Sequence, residues 1–262
     1  PHTSSDKPVF SLPANTLTGE QIVGLSIGES KLLPQNSGLL SEHENSLVDL
    51  AVKVVKFAKL LPSALLYRVS HADIYQHDRL SSPYQIPVLE FSDIASFSSI
   101  QPSLSISVEA DLPLKQAPES KIIMFRNSNG KEEHFAIVVG EGLSVKEPLV
   151  RLHSQCLTGD VFGSLKCDCG EQLQTALSLM SNEGAGVVLY LAQEGRDIGL
   201  LNKIRAYALQ DAGLDTIEAN HSLGFDTDER VFSTAVEMLD LLELSHIKLL
   251  TNNPDKVKQL SE

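Results

Sequence analysis

All three cysteines of the chain fall within fourteen consecutive positions: Cys156, Cys167 and Cys169, with ten residues between the first pair and one between the second. Three thiols cannot pair off as disulfides without leaving one over. Two cysteines separated by a single residue are also too close for an unstrained bridge in extended chain. A lone buried thiol can pass as a small hydrophobe, but Cys167-Asp168-Cys169-Gly170 is polar and turn-like. Thiolates favour zinc among the common metals. Three protein ligands with an open fourth position is the pattern of catalytic zinc, whereas structural zinc is closed by four. His153 stands three residues before Cys156 and is placed to be that fourth ligand, so spacing alone leaves both kinds of site open.

Four further segments carry polar residues that a core does not use. Gln193-Glu194-Gly195-Arg196-Asp197-Ile198-Gly199 follows an apolar run, and its glycines would let backbone approach an anion at a helix start; ordinary capping by Asp197 is the plain alternative. Lys203, Arg205 and Tyr207 fall at helical spacing that reads as a solvated face. In Gly224–Arg230, Asp226 and Glu229 have the three-residue offset of a capping box. Thr251-Asn252-Asn253-Pro254-Asp255-Lys256 places a hydroxyl, two amides and a lysine after a strand, a grip for phosphate or a base edge or simply a turn. Ligand sites in α/β folds occupy such strand ends.

These residues need a scaffold. From Leu149 onward strands and helices alternate: a strand over 150–153, a helix after Gly170, a strand over 187–191, helices over 198–209 and 229–242, and a strand over 247–251. Upstream, 106–114 and 121–139 carry strand patterns, with Asn129-Gly130 as the hairpin turn. Residues 1–40 read as loop and short strands, 47–61 as an amphipathic helix ending before Pro62, 64–69 as a buried strand, and 88–97 as apolar chain with a short helix. His71, Asp73, His77 and Asp78 read as solvated loop residues. The expected fold is α/β (α+β), a mixed sheet flanked by helices, preceded by a smaller N-terminal α/β domain.

With 262 residues, 42% hydrophobic and 21% charged, the composition is that of a globular protein. A formal charge of −13 disfavours nucleic acid as a partner. No apolar run approaches the roughly 20 residues that span a bilayer, and there is no secretory signal. A cytoplasmic setting with reduced thiols is expected.

The segments RLHSQCLTGDVFGSLKCDCG, QEGRDIGLLNKIRAYALQDAG, GFDTDER and LLTNNPDK, in that order, resemble GTP cyclohydrolase II over residues 106–262. The resemblance implies an enzyme of riboflavin biosynthesis. It would convert GTP to 2,5-diamino-6-ribosylamino-4(3H)-pyrimidinone 5′-phosphate, formate and pyrophosphate, using Zn²⁺ and Mg²⁺, as a homodimer. Cys156, Cys167 and Cys169 match the zinc ligands, the ion acidifying the water that attacks carbon 8 of guanine. Arg151, Leu152, His153, Ser154, Gln155, Gln172, Glu194, Gly195, Arg196, Thr216, Thr251 and Lys256 match GTP-contacting positions. Tyr207 matches a tyrosine of the ring chemistry, Asp228 the general base and Arg230 the nucleophile towards the α-phosphorus. Because a guanidinium stays protonated, stabilising charge on the transferred phosphoryl group is the less demanding role for Arg230.

The family usually carries glutamate where this chain has Gln155. It also continues past the TNNP segment, and no methionine precedes Pro1, so both ends are expected to be incomplete. Residues 46–97 faintly resemble the end of a 3,4-dihydroxy-2-butanone 4-phosphate synthase domain. The acidic and histidine motifs of that chemistry are absent, which makes residues 1–105 a degenerate, non-catalytic region. Two alternatives stay open at this point: a divergent paralogue with partial activity on GTP or a related nucleotide, as in pyrimidine catabolism, and a non-enzymatic zinc-stabilised binding module.

Overall fold

The computed structural model describes residues 9–27, 39–43, 46–67, 92–94, 103–128, 130, 132–251, 253, 256–257 and 260. The chain separates into two compact units, one holding 1–101 with 204–227 and the other 102–203 with 228–262.

In the first unit, β1 (Phe10–Ser11) pairs antiparallel with β2 (Leu40–Ser41). Between them lies α1 (Gly19–Ser26), where loop and strand were expected. Thr18 and Gln21 form a reciprocal capping box there, a local signal that outweighs the glycine at the first helical position. α2 (Leu47–Phe57) matches the expected amphipathic helix and is capped by Ser46. Residues 64–67 are irregular rather than strand, and 68–69, the 71–78 histidine and aspartate group and most of 88–97 lie outside the described residues.

The second unit is built on a six-stranded mixed sheet. Its strands are β3 (Leu104–Asp111), β4 (Ser120–Asn127), β5 (Glu133–Gly140), β6 (Leu149–Ser154), β7 (Ala185–Leu191) and β8 (Lys248–Leu249). The order across the sheet is β3-β4-β5-β7-β6-β8. β3, β4, β5 and β7 run antiparallel; β6 is parallel to β7 and to β8. Gly130, at φ +67°, sits in the β4–β5 connection, which runs over five residues rather than a two-residue turn.

Side chains alternate between the two faces, as the pleat requires. On one face Ala136, Val138, Val187 and Leu189 meet Ala235, Met238 and Leu239 of a helix over Ser233–Leu241. On the other, Ile137, Val139 and Val188 meet Leu173, Ala176, Leu177 and Met180 of a helix over Cys169–Glu183. A side chain at Gly186 would run into Met180, so this glycine lets the helix lie close on β7. These two helices are α4 (Cys169–Glu183) and α7 (Ser233–Leu241); α3 (Leu157–Asp160) precedes α4, and α5 (Leu200–Asp211), which starts in this unit and continues in the first, is followed by α6 (Thr216–Ser222) of the first unit. Mixed sheet with helices on both faces is the expected class.

Candidate active site

The parallel strand β6 delivers Arg151 to Ser154 at its C-terminal end, and the chain turns at once into α3 with Cys156 at its N-cap. Gln155 half-emerges there, its N–H donating to the Leu191 carbonyl at 2.8 Å and prolonging the ladder with β7. Cys167 and Cys169 arrive at the start of α4. The three Sγ atoms lie within 4.8 Å of one another, Cys156 and Cys167 at 3.5 Å.

Two glycines make that convergence possible. A Cβ on Gly159 would fall 2.9 Å from Cys167 Sγ and 3.1 Å from both Cys156 Sγ and Cys169 Cβ. A Cβ on Gly170 would collide with the Gly159 carbonyl. Four-coordinate zinc at about 2.3 Å from each sulfur sets sulfurs about 3.8 Å apart, so donor set, spacing and glycine-lined cradle fit such an ion. Among the described residues this is the group of three or more histidine, cysteine or carboxylate ligands within reach of one ion, and His153 is not in it. The His153 Nε2 instead faces Asp160 at 3.0 and 3.1 Å. Asp160 also accepts from Tyr190 Oη at 2.8 Å and from the Cys156 N–H at 3.0 Å.

The electrostatics divide the thiols. Burial opposes ionisation of Cys156, yet hydrogen bonds from Lys203, Thr158, the Gly159 backbone and Cys167 bring its pKa below the usual thiol value. Cys169 is pushed well up, by burial and then by its two thiol neighbours. Burial also opposes the Asp160 carboxylate, but its hydrogen bonds from His153, Tyr190 and the Cys156 backbone hold its pKa down. Burial and the same carboxylate push the Tyr190 phenol up.

Lys203 is a correction. Spacing suggested a solvated face, but the side chain is buried, with Nζ 2.9 Å from Cys156 Sγ and 2.7 Å from Glu194 Oε1. Burial alone would lower its pKa; these two anionic partners raise it beyond the ordinary lysine value. Glu194 is likewise engaged at both oxygens, Oε2 accepting from the Leu157 N–H at 2.7 Å.

After Glu194, Gly195, Arg196 and Asp197 all take left-handed backbone, at φ +66°, +60° and +74°, with Gly199 at +84°. The two non-glycine residues carry strain of about 1–3 kcal/mol each, tolerated when the surroundings over-determine them. Here the Asp197 N–H donates to Gln193, the Gly199 N–H to Glu194, and the Arg196 carbonyl accepts from Glu229 at 3.2 Å. Asp197 thus lacks the extended backbone typical of an N-cap.

That last bond brings in Asp228 and Arg230. Drawn to Arg196, residue 229 stays out of helix; α7 begins at Ser233, and the expected Asp226–Glu229 capping box does not form. Gln193 Nε2 pins the same segment by donating to the Val231 carbonyl at 2.8 Å. Asp228 grips Arg230 through two side-chain bonds, Nε–Oδ1 at 2.8 Å and Nη2–Oδ2 at 2.5 Å. Arg230 Nη1 reaches Ser154 Oγ at 3.5 Å.

The Arg230 guanidinium lies 5.3 Å from the Phe232 ring centroid and Lys256 Nζ 5.6 Å from it. Lys256 is buried and donates to the Leu152 carbonyl at 3.1 Å, so Leu152 adds a backbone acceptor while its side chain stays in the core. Burial, then Arg230 and Arg151, lower the Lys256 pKa to about 8. The Thr251 hydroxyl accepts from the Asn253 N–H at 3.0 Å.

On the other side, Arg151 donates from Nη1 to the Leu250 carbonyl at 3.0 Å and from Nη2 to Gln172, which bonds Asp168 at 2.5 Å. Arg151 Nε is buried without a partner. Arg151, Asp168, Glu171, Gln172, Thr175 and Leu250 line a cavity of about 310 Å³. Tyr207 and Thr216 belong to the first unit, the former on α5, the latter opening α6 with its hydroxyl accepting from Gln210 at 3.1 Å.

Sequence reasoning missed Asp160, Tyr190, Lys203 and Gly159. The Thr158-Gly159-Asp160 run beside Cys156 was the one local signal available for two of them.

Among the described residues no helix is long and apolar enough to cross a membrane. The family model described as GTP cyclohydrolase II matches residues 105–262. A GTP cyclohydrolase-2 of Azospirillum brasilense is 42% identical over 216 residues, covering 80% of this chain and 55% of its own length. Those of Haemophilus influenzae (strain PittGG) and Proteus mirabilis are 49% and 53% identical over 160 and 156 residues, covering 61% and 59% of this chain and 74% and 77% of their own lengths. This chain thus spans about half of the first relative and three quarters of the others. A crystal structure of a two-domain 3,4-dihydroxy-2-butanone 4-phosphate synthase from A. baumannii aligns with 96% of this chain and 72% of its own, at 10% identity and a TM-score of 0.34, too low for argument. The family match spans the cysteines, Glu194, Arg230 and Lys256 alike, and on it the chain belongs to the GTP cyclohydrolase II family.

Proposed function

We propose that the chain is a zinc-dependent GTP cyclohydrolase II, hydrolysing GTP to 2,5-diamino-6-ribosylamino-4(3H)-pyrimidinone 5′-phosphate, formate and pyrophosphate, the first step of riboflavin biosynthesis. The observation that carries the reading is one juxtaposition within one unit: a three-thiol cradle and two cations, Arg230 and Lys256, gathered over Phe232, with Lys256 near enough to Cys169 to feel its charge. A thiol centre alone would serve a binding module; paired cations beside it suit a substrate with both a ring to open and a phosphoanhydride to break.

Cys156, Cys167 and Cys169 would hold Zn²⁺, which when bound supplies Lewis acidity for hydrolysis at carbon 8 of guanine. The other residues bind and orient. Arg151, with its unpartnered Nε, Gln172, Ser154, Gln155, Gly195, Arg196, Thr251 and the Leu152 and His153 backbone would line the nucleotide site. Thr216 and Tyr207 are carried as substrate-contacting and ring-chemistry residues on the resemblance. Arg230, clamped by Asp228, would stabilise charge on the phosphoryl group as pyrophosphate leaves, and Asp228 would also serve as base. Mg²⁺ would travel with the triphosphate oxygens, its usual manner of binding. Gln155 removes one negative charge from a centre that already carries three thiolates. We read the enzyme as a cytoplasmic homodimer with GTP as its small-molecule partner, and residues 1–105 as a non-catalytic region distinct from the catalytic residues 106–262.

The deciding assay supplies GTP with Zn²⁺ and Mg²⁺ and follows formate, pyrophosphate and the pyrimidine product separately. Equimolar release of all three is expected. Pyrophosphate without formate would make the chain a partial catalyst instead.

A further inference from the structure

Lys203 and Glu194 form a buried pair aimed at the thiol centre rather than at open space. Lys203 Nζ donates to Cys156 Sγ at 2.9 Å and to Glu194 Oε1 at 2.7 Å, and both residues are under a tenth exposed. The other Glu194 oxygen accepts from the Leu157 N–H at 2.7 Å, the peptide immediately after Cys156. The pair thus closes a ring around one cysteine, touching its sulfur from one side and its backbone from the other. The backbone of Lys203 is held close to the preceding loop. Its N–H donates to the Gly199 carbonyl at 3.0 Å, and a Cβ on Gly195 would lie 3.0 Å from Lys203 Cβ. The left-handed loop of Gly195, Arg196 and Asp197 therefore has a structural consequence: it seats α5 so that its first turn presents a lysine to the thiols.

Resting on the metal-centre reading above, we infer that Lys203 is a positioning residue of the thiol centre, acting on the Cys156 sulfur, and that Glu194 holds it there. A divalent ion with three thiolates carries one net negative charge, and strong thiolate donation blunts the ion's Lewis acidity. A buried ammonium on one sulfur sets positive charge directly against that thiolate, with Glu194 as its counter-ion on the far side, and withdraws electron density from that ligand. Outer partners of this kind orient the ligands and tune the ion. Glu194 in turn fixes the ammonium and, through Leu157, the rotation of the Cys156 peptide.

The test uses the full chain loaded with Co²⁺ as a spectroscopic probe, and Zn²⁺ retention against a chelator. Wild type is expected to show thiolate-to-cobalt charge-transfer bands. Lys203→Met should move those bands to lower energy and weaken Zn²⁺ retention by roughly 10- to 100-fold, and Lys203→Arg should restore most of both. Because Lys203→Met leaves Glu194 buried and unpaired, the double variant Lys203→Met/Glu194→Gln decides the matter if the single one does not fold. It removes the pair symmetrically and should show the same band shift. Wild-type bands and wild-type retention in the double variant would overturn the assignment. A wild-type protein that takes up no Co²⁺ would instead sink the metal reading on which it rests.

Discussion

The thiol centre and the cationic arm formed by Asp228, Arg230 and Lys256 sit on the same sheet unit but are assembled in different ways. The thiols come from one short stretch, folded back so tightly that Gly159 and Gly170 have no room for a side chain. Each neighbouring polar group there is saturated: Asp160 by His153, Tyr190 and the Cys156 N–H, Glu194 by Lys203 and the Leu157 N–H. The cationic arm is brought in from distant sequence. Single hydrogen bonds tie it down, Glu229 to Arg196, Gln193 to Val231 and Lys256 to Leu152. Arg230 is paired with Asp228, while Lys256 is held against the like charges of Arg230 and Arg151. A pre-built centre whose neighbouring polar groups are all satisfied suits a resident ion. An arm of mutually repelling cations suits an anion that comes and goes.

The sharpest way to break the thiol side is Cys167→Ser. Loss of one of three thiolates should release the metal and abolish formate production, a larger effect than the roughly 100-fold that removing an outer partner costs. Metal content and formate release check it together; a variant retaining both would remove Cys167 from the metal centre. Arg230→Lys tests the arm. It keeps the charge and loses the two-point grip on Asp228, so pyrophosphate release should fall by about 100-fold while metal content stays at the wild-type level. Trapping a phosphorylated Arg230 peptide by mass spectrometry would show covalent catalysis and overturn the charge-stabilising role.

Gly159→Ala sharpens the contrast at smaller scale. The added methyl presses on two sulfurs and on Cys169 Cβ, an overpacking worth about 1–3 kcal/mol. It should weaken metal retention while leaving apo-protein thermal stability within that range of wild type. Unchanged retention would mean that the cradle is looser than its geometry indicates.

The two regions also differ in how much their sequence discloses. The cysteine cluster, the β6 strand and the α4 helix rest on contacts between near neighbours, and residue spacing reveals them, whereas the short α3 between them left no periodic signal. The start of α7 is displaced from Glu229 to Ser233 because the Arg196 carbonyl captures the Glu229 N–H from more than thirty positions upstream. Lys203 has the spacing of a solvated face, and only the left-handed backbone before α5 turns it inward. Asp160 and Tyr190 meet across thirty residues. Local pattern carries no trace of such pairings, whereas the family motifs mark several of their members without saying what those residues touch.

The smallest expected effect is a pH dependence confined to the arm. Lys256 is buried beside Arg230 and Arg151, with Asp228 and Cys169 only partly offsetting them, and its pKa falls to about 8 from 10.5. A lysine depressed on folding destabilises the protein while charged. Between about 8 and 10.5 the unfolded chain binds the extra proton, so stability should rise with pH across that window; below about 8 both states are protonated and the penalty is constant. Substrate binding runs the other way. If the ammonium grips a phosphate, the KM for GTP should be flat below about 8 and climb above it, with kcat changing less. Lys256→Arg supplies a cation that stays protonated, so its KM should lose the break near 8 while the metal content holds. Thiolates held by a metal ion stay deprotonated across the same span, so a break that survives in Lys256→Arg would belong to another group and remove Lys256 from the phosphate grip.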